Sequence, residues 1–167
     1  MISAQLIEKY LPRAVENGQD VEARSQMLSA SCMAVNGYLA GLNATPVHNC
    51  AHAFGALFHI PHGDANGVFL PIVMETLPEL YIPQAERLAK ALNIQANGKT
   101  GEDLLADVIA KIRELQHATG CATDLSRWEV SADRLEEIVM AVATDPIAVF
   151  YPIPPEKIAE ITLKAIG

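Results

Sequence analysis

Residues 45–74 read TPVHNCAHAFGALFHIPHGDANGVFLPIVM, and this stretch decides both the fold class and where chemistry is to be sought. Thr45-Pro46 pairs a capping residue with a first-turn proline, which predicts a helix running on through His48, His52 and Ala56. Pro61-His62-Gly63 interrupts that helix and leaves His62 on a turn. A further helix is predicted from Asp64 through Phe69, Ile72 and Val73 to Leu77, with Pro71 inside it as a point for a kink. The apolar residues recur at helical spacing, without the strict alternation of a half-buried strand.

The same pattern extends outward in both directions. Upstream, a helix from about Ala4 to Glu16 presents Ile7, Tyr10, Leu11 and Ala14 on one face, and Asn17-Gly18 offers left-handed residues to end it. Asp20 is placed to cap a helix over Val21–Leu42. After its charged first turn this segment is small and apolar all round, with Met27, Leu28, Ala30, Cys32, Met33, Ala34, Val35 and Leu39, the composition of a helix at the centre of a bundle. Downstream, Pro83 opens a short helix to Leu92, and Gly98-Lys99-Thr100-Gly101 is a polar turn. An amphipathic helix follows, with Leu104, Leu105, Val108, Ile109, Ile112 and Leu115 inward and Gly120 at its end. Ser131-Ala-Asp-Arg opens a helix carrying Leu135, Ile138, Val139 and Val142, and the connector from Tyr151 to Pro155 leads into a last one through Ile158 and Ile161. The expectation is an all-α, multi-helix bundle forming one domain over residues 1–167, with no internal repeat.

The chain has 167 residues, half of them apolar, enough for one domain with a substantial core. Twenty acidic residues against twelve basic ones give a formal charge of −8. With no block of Lys or Arg, nucleic acid and anionic membrane surfaces are not expected as partners. Cys32, Cys50 and Cys121 form no C-x-x-C pair, which fits reduced thiols in a cytoplasmic protein. The first twenty residues carry Glu8, Lys9, Arg13 and Glu16 and so lack the apolar run of a signal peptide. The longest uncharged run falls short of the about 20 strongly apolar residues that a spanning helix needs.

Four of the five histidines lie between positions 48 and 62. His48 and His52, four apart on a helix, project from one face, where two ring nitrogens can converge on one ion. His48 sits in a first helical turn and His62 just before another helix start, so two positive dipole ends favour neutral imidazoles, the form that binds metal. An H-x-x-x-H pair also occurs on ordinary packed helices, and spacing alone leaves both readings open. Asp64 is read as a cap for its helix ahead of a metal ligand. His59 points to solvent or a cleft, and His117 is given no role.

From Val47 to Met74 the chain resembles the histidine signature of the iron-containing alcohol dehydrogenases. The matching parts are His48, Ala51-His52, Gly55-Ala56, Pro61-His62-Gly63, Ala65-Asn66 and Leu70-Pro71-Ile72-Val73-Met74, in the family's order and spacing. LPRAVENGQDVEARSQMLSAS, residues 11–31, is similar to the helices before that signature. ATDPIAVFYPIPPEKIAEI, residues 143–161, is similar to the family's closing segment, although Phe150-Tyr151-Pro152 stands where Asn-Pro-Arg is common.

The resemblance implies an all-helical C-terminal domain in which His48 and His62 ligate the metal, with His52 near the nicotinamide and substrate as a proton relay or positioning group. It implies iron(II), with zinc or manganese able to substitute, and oxidation of a small alcohol or reduction of an aldehyde with NAD or NADP. The family's remaining ligands, an Asp and a His in a D-x-x-x-H, have no counterpart before Val47. The ten glycines form neither G-G-G-S nor G-x-G-x-x-G, so the dinucleotide-binding N-terminal domain is expected to be absent. Small residues at Ala51, Ala53, Gly55 and Gly63 would suit the approach of a flat cofactor or, equally, close helix packing. The favoured reading is part of a dehydrogenase that needs an N-terminal partner in trans, inactive alone. The alternatives are a standalone metal-binding module using His48, His52 and His62, with or without Asp64, or a non-catalytic helical homo-oligomer.

Overall fold

The computed structural model describes residues 1–41 and 45–167. Among them the regular elements are helical throughout, with no strand, as the spacing of apolar residues predicts. None of these helices is long and apolar enough to cross a membrane. The chain divides into two compact units, one of Met1–Leu42 and Tyr81–Gly120, the other of Asn43–Leu80 and Cys121–Gly167.

In the first unit, α1 (Ile2–Glu16) packs along α2 (Val21–Gly41). Asp20 caps α2 as its position predicts, accepting from the Ala23 N–H at 2.9 Å. Arg13 clamps the corner, reaching Asp20 at 2.8 Å and Glu22 at 2.9 Å. Asn17 does not take the left-handed conformation expected of it: its φ of −132° is extended, and its side chain instead accepts from the Gln19 N–H. A 3-10 turn (Ile82–Gln84) leads into α5 (Ala85–Ala91), which packs on α6 (Gly101–Thr119). The Thr100 hydroxyl accepts from the Asp103 N–H to start α6, and Gly120, at φ +66°, ends it in the left-handed region.

The expectation for α2 is overturned in one respect. Its apolar residues do not place it at the centre of a bundle: Leu28 is 74% exposed, Met33 38% and Val35 54%, while Ala23 and Ala30 are buried. The helix buries Ala23 and Ala30 and leaves Leu28, Met33 and Val35 outside. Leu42, expected to end it, lies outside the described residues.

The second unit carries the stretch from which the fold was read. Helix α3 (Pro46–Phe58) packs on α4 (His62–Thr76) and on α7 (Leu135–Ala143), and α8 (Pro155–Ile166) packs on α4 and α7. Phe54, Phe69, Met74, Ile138, Ile158 and Ile161 are fully buried in this unit. The Phe54 and Phe69 rings sit with centroids 4.7 Å apart, an aromatic pair locking α3 to α4. Truncating either Phe would cost about 3–5 kcal/mol.

The break between α3 and α4 is compact. His59 takes the left-handed conformation at φ 55° and donates its N–H to the Gly55 carbonyl, closing α3. Ile60 is buried, and Pro61 occupies the position before the helix. Pro61 rather than Asp64 precedes the first turn, so α4 starts two residues earlier than the spacing suggests and His62 is its first residue, not a turn residue. Asp64 lies in that first turn without making a capping bond, where a carboxylate still complements the helix dipole. Thr45 stands at the start of α3 as expected but does not cap it through its side chain; its hydroxyl meets the Asn49 amide oxygen at 3.3 Å.

Candidate metal centre

Within the second unit, two successive helices bring three of the five histidines together. His48 comes from the first turn of α3, His52 from the next turn on the same face, and His62 from the first position of α4. Their ring centroids are 6.0 Å apart for His48 and His52, 5.3 Å for His48 and His62, and 5.4 Å for His52 and His62. His48 meets both neighbours edge-on, whereas His52 and His62 lie nearly parallel, at 29°. His59 is exposed at the end of α3 and does not join the group. His117 belongs to α6 in the other unit.

Partial burial, followed by the neighbouring His62 and His52 rings, holds the pKa of His48 below the usual imidazole value. Its ring is therefore neutral at pH 7, the state a metal ligand requires. Helix dipoles act in the same direction, but burial is the first cause here.

His62 is held through its backbone: the Asn66 amide donates to the His62 carbonyl at 2.7 Å, one helical turn on. His52 is held through its ring, whose Nδ1 faces Asp145 Oδ2 at 3.1 Å. Asp145 was not singled out in the sequence. Its place before Pro146 does mark a helix start, and its other oxygen accepts from the Ile147 N–H at 3.0 Å to cap the 3-10 segment Pro146–Phe150. Nothing in the local pattern pairs it with a residue 93 positions away.

The small residues divide between the two roles open to them. Ala51 and Ala53 are buried and serve packing. Gly63 is exposed, and a Cβ there would meet nothing within 4 Å, so no packing contact demands its glycine.

Among the described residues, no three His, Cys, Asp or Glu side chains are already gathered around one metal position. His48 and His62, the pair that the family resemblance assigns to a metal, meet edge-on with ring centroids 5.3 Å apart, while His52 faces Asp145 through Nδ1. Imidazole nitrogens are donors suited to iron, zinc or other first-row cations.

Fold and cluster define a class first: an all-helical domain with imidazoles gathered where one helix passes to the next. Within that class, the chain belongs to the Fe-containing alcohol dehydrogenase family, matching its C-terminal part over residues 1–166. It is 38% identical over 140 residues to the probable alcohol dehydrogenase EutG of Escherichia coli (strain K12), a match covering 81% of this chain and 34% of that protein. The NADPH-dependent butanol dehydrogenase of Clostridium saccharobutylicum is 32% identical over 133 residues, covering 78% of this chain and 32% of its own length. The crystal structure of the iron-containing alcohol dehydrogenase from Thermococcus thioreducens superposes with a TM-score of 0.78 at 30% identity, covering 98% of this chain and 42% of that one. The chain thus spans about a third of the length of these curated relatives.

Proposed function

We propose that this chain is the helical, metal- and substrate-binding part of a metal-dependent NAD(P) alcohol dehydrogenase, which oxidises small alcohols or reduces aldehydes. An N-terminal partner supplies the dinucleotide site and the remaining metal ligands. The observation that carries this reading is the triangle of His48, His52 and His62, with ring centroids 5.3 to 6.0 Å apart, in a chain of this family.

His48 and His62 would hold the cation, iron(II) first, with zinc or manganese able to take its place because imidazole does not select sharply among them. A bound cation would supply the positive charge that favours alkoxide at the alcohol oxygen, and a nicotinamide held by the N-terminal partner would supply the hydride acceptor. His48 contributes a lone pair kept available by the lowered pKa of its ring. His52, 39% exposed at its side chain, remains open to solvent and to a substrate hydroxyl, and accepts the proton that the oxygen loses. Free thiols at Cys32, Cys50 and Cys121 support a reducing, cytoplasmic setting. The exposed Leu28, Met33 and Val35 of α2 support an assembly, with a partner or further copies of the chain, over a chain working alone.

The test combines metal analysis with reconstitution. Co-expression with the N-terminal portion of an iron-containing alcohol dehydrogenase should yield a complex holding metal in stoichiometric amount and forming NAD(P)H from a primary alcohol. His48→Ala should abolish both. A metal-free complex, or one whose metal content is unchanged by His48→Ala, refutes the assignment.

A further inference from the structure

We propose that Asp145 is the positioning residue for His52, fixing the hydrogen on Nδ1 so that Nε2 carries the lone pair that receives the substrate proton. The role given to Nε2 rests on the reading of His52 as the proton relay; the orientation itself rests on geometry alone. A carboxylate can only accept, so at 3.1 Å from Asp145 Oδ2 the His52 Nδ1 must be the protonated nitrogen. In a neutral ring Nε2 is then the acceptor, on the side of the ring remote from Asp145. The neighbours of that ring are His48, edge-on to it, and His62, nearly parallel to it.

The carboxylate is held on two sides. Oδ1 is committed to the Ile147 N–H at 3.0 Å, which leaves Oδ2 for His52. Pro146 follows directly and confines Asp145 to an extended conformation, observed at φ −58° and ψ 137°. The Asp145 side chain is 9% exposed against 39% for His52, so the anchor is shielded and the group it orients is accessible. In the proton step the O–H bond of the alcohol breaks, its electron pair stays on oxygen, and the proton joins Nε2. The resulting imidazolium then faces the Asp145 carboxylate through Nδ1–H.

The committed cap makes the arrangement testable. In Asp145→Asn, the amide oxygen keeps the Ile147 cap and the NH2 takes the place of Oδ2, so it donates to His52 Nδ1 and forces the hydrogen onto Nε2. Asp145→Ser keeps a capping oxygen and removes the pairing. Ring-nitrogen NMR on the full chain, ¹⁵N-labelled at histidine, treated with chelator and held above the imidazole titration range, reads the tautomer directly; His52→Gln assigns the signal. The expected result is Nδ1–H in the native chain, Nε2–H in Asp145→Asn and a mixture in Asp145→Ser, with the far-UV circular dichroism of the chain unchanged as the reporter of folding. A cap without a positioning role would leave the His52 tautomer the same in all three. That outcome, or Nε2–H in the native chain, overturns the proposal. Because no metal, partner or turnover enters the measurement, its failure is distinct from a failure of the dehydrogenase reading.

Discussion

The rings of His48 and His62 meet edge-on with centroids 5.3 Å apart, one from the first turn of α3 and the other from the first residue of α4. A proton on His48 would be poorly solvated and close to two other imidazoles, which is why its pKa is lowered from the ordinary 6.5. The sign for stability follows from linkage. Below 6.5 the unfolded chain takes up a proton at this residue before the folded chain does, so stability falls as pH falls from 6.5 towards the lowered value. Above that window the residue contributes no slope. Urea unfolding of the metal-free chain at a series of pH values should show this loss, and His48→Gln should flatten it. An unchanged slope in His48→Gln would assign the acid sensitivity to other groups.

Gly67 and Cys121 define a second close approach in the same unit: a Cβ at position 67 would lie 2.8 Å from the Cys121 sulfur. An alanine there gains about 1 kcal/mol of helix propensity. Overpacking against the sulfur costs about 1–3 kcal/mol and opposes that gain. Gly67→Ala should therefore lower the unfolding midpoint in the native background. In a Cys121→Ala background, where the sulfur is gone, the same substitution should raise it. Equal effects in both backgrounds would mean that the sulfur is not what keeps position 67 a glycine.

The contrast between α3 and α2 explains what the sequence could carry. Pro46, Pro61 and the Gly63-Asp64 region punctuate α3 and α4 through backbone restrictions, so the helices and the face shared by His48 and His52 were legible from local rules. The boundary at His62 shifted because Pro61 takes the position before the helix, a job equally open to later residues until the buried Ile60 fixes the turn. Hydropathy in α2 says that its side chains prefer to be covered but not by what, so the same string suits a central helix or an exposed face. Asp145 was illegible as a partner of His52 because its local pattern specifies the cap alone, and the pairing depends on how α3 meets the segment after α7.

The exposed face of α2 gives a direct test of that correction. Were α2 central, placing a charge at Leu28 or Val35 would cost several kcal/mol through an unpaired buried ion. At 74% and 54% exposure these positions lie outside the core. Leu28→Glu and Val35→Lys should each change the stability of a dilute, monomeric sample by no more than about 0.5 kcal/mol. Where the protein is assembled, the same substitutions should lower its mass by light scattering. A large loss of stability in the monomer would return α2 to the interior.

The three thiols should separate by reactivity. Cys32 is exposed, Cys121 half-buried and Cys50 buried. Burial pushes the Cys50 thiol up to about 12, so at neutral pH it carries almost no thiolate and is shielded from reagent as well. Burial first, and then the nearby Asp64 carboxylate, raise the Cys121 thiol too. Alkylation of the native chain followed by peptide mass spectrometry should label Cys32 first, Cys121 more slowly and Cys50 last. In denaturant, where burial no longer separates the three thiols, the order should collapse to near-equal rates. Early labelling of Cys50 in the native chain would show α3 opening on the time scale of the reaction, and because His48 and His52 flank that residue on the same helix, it would undermine the ordered cluster on which the proposed metal site depends.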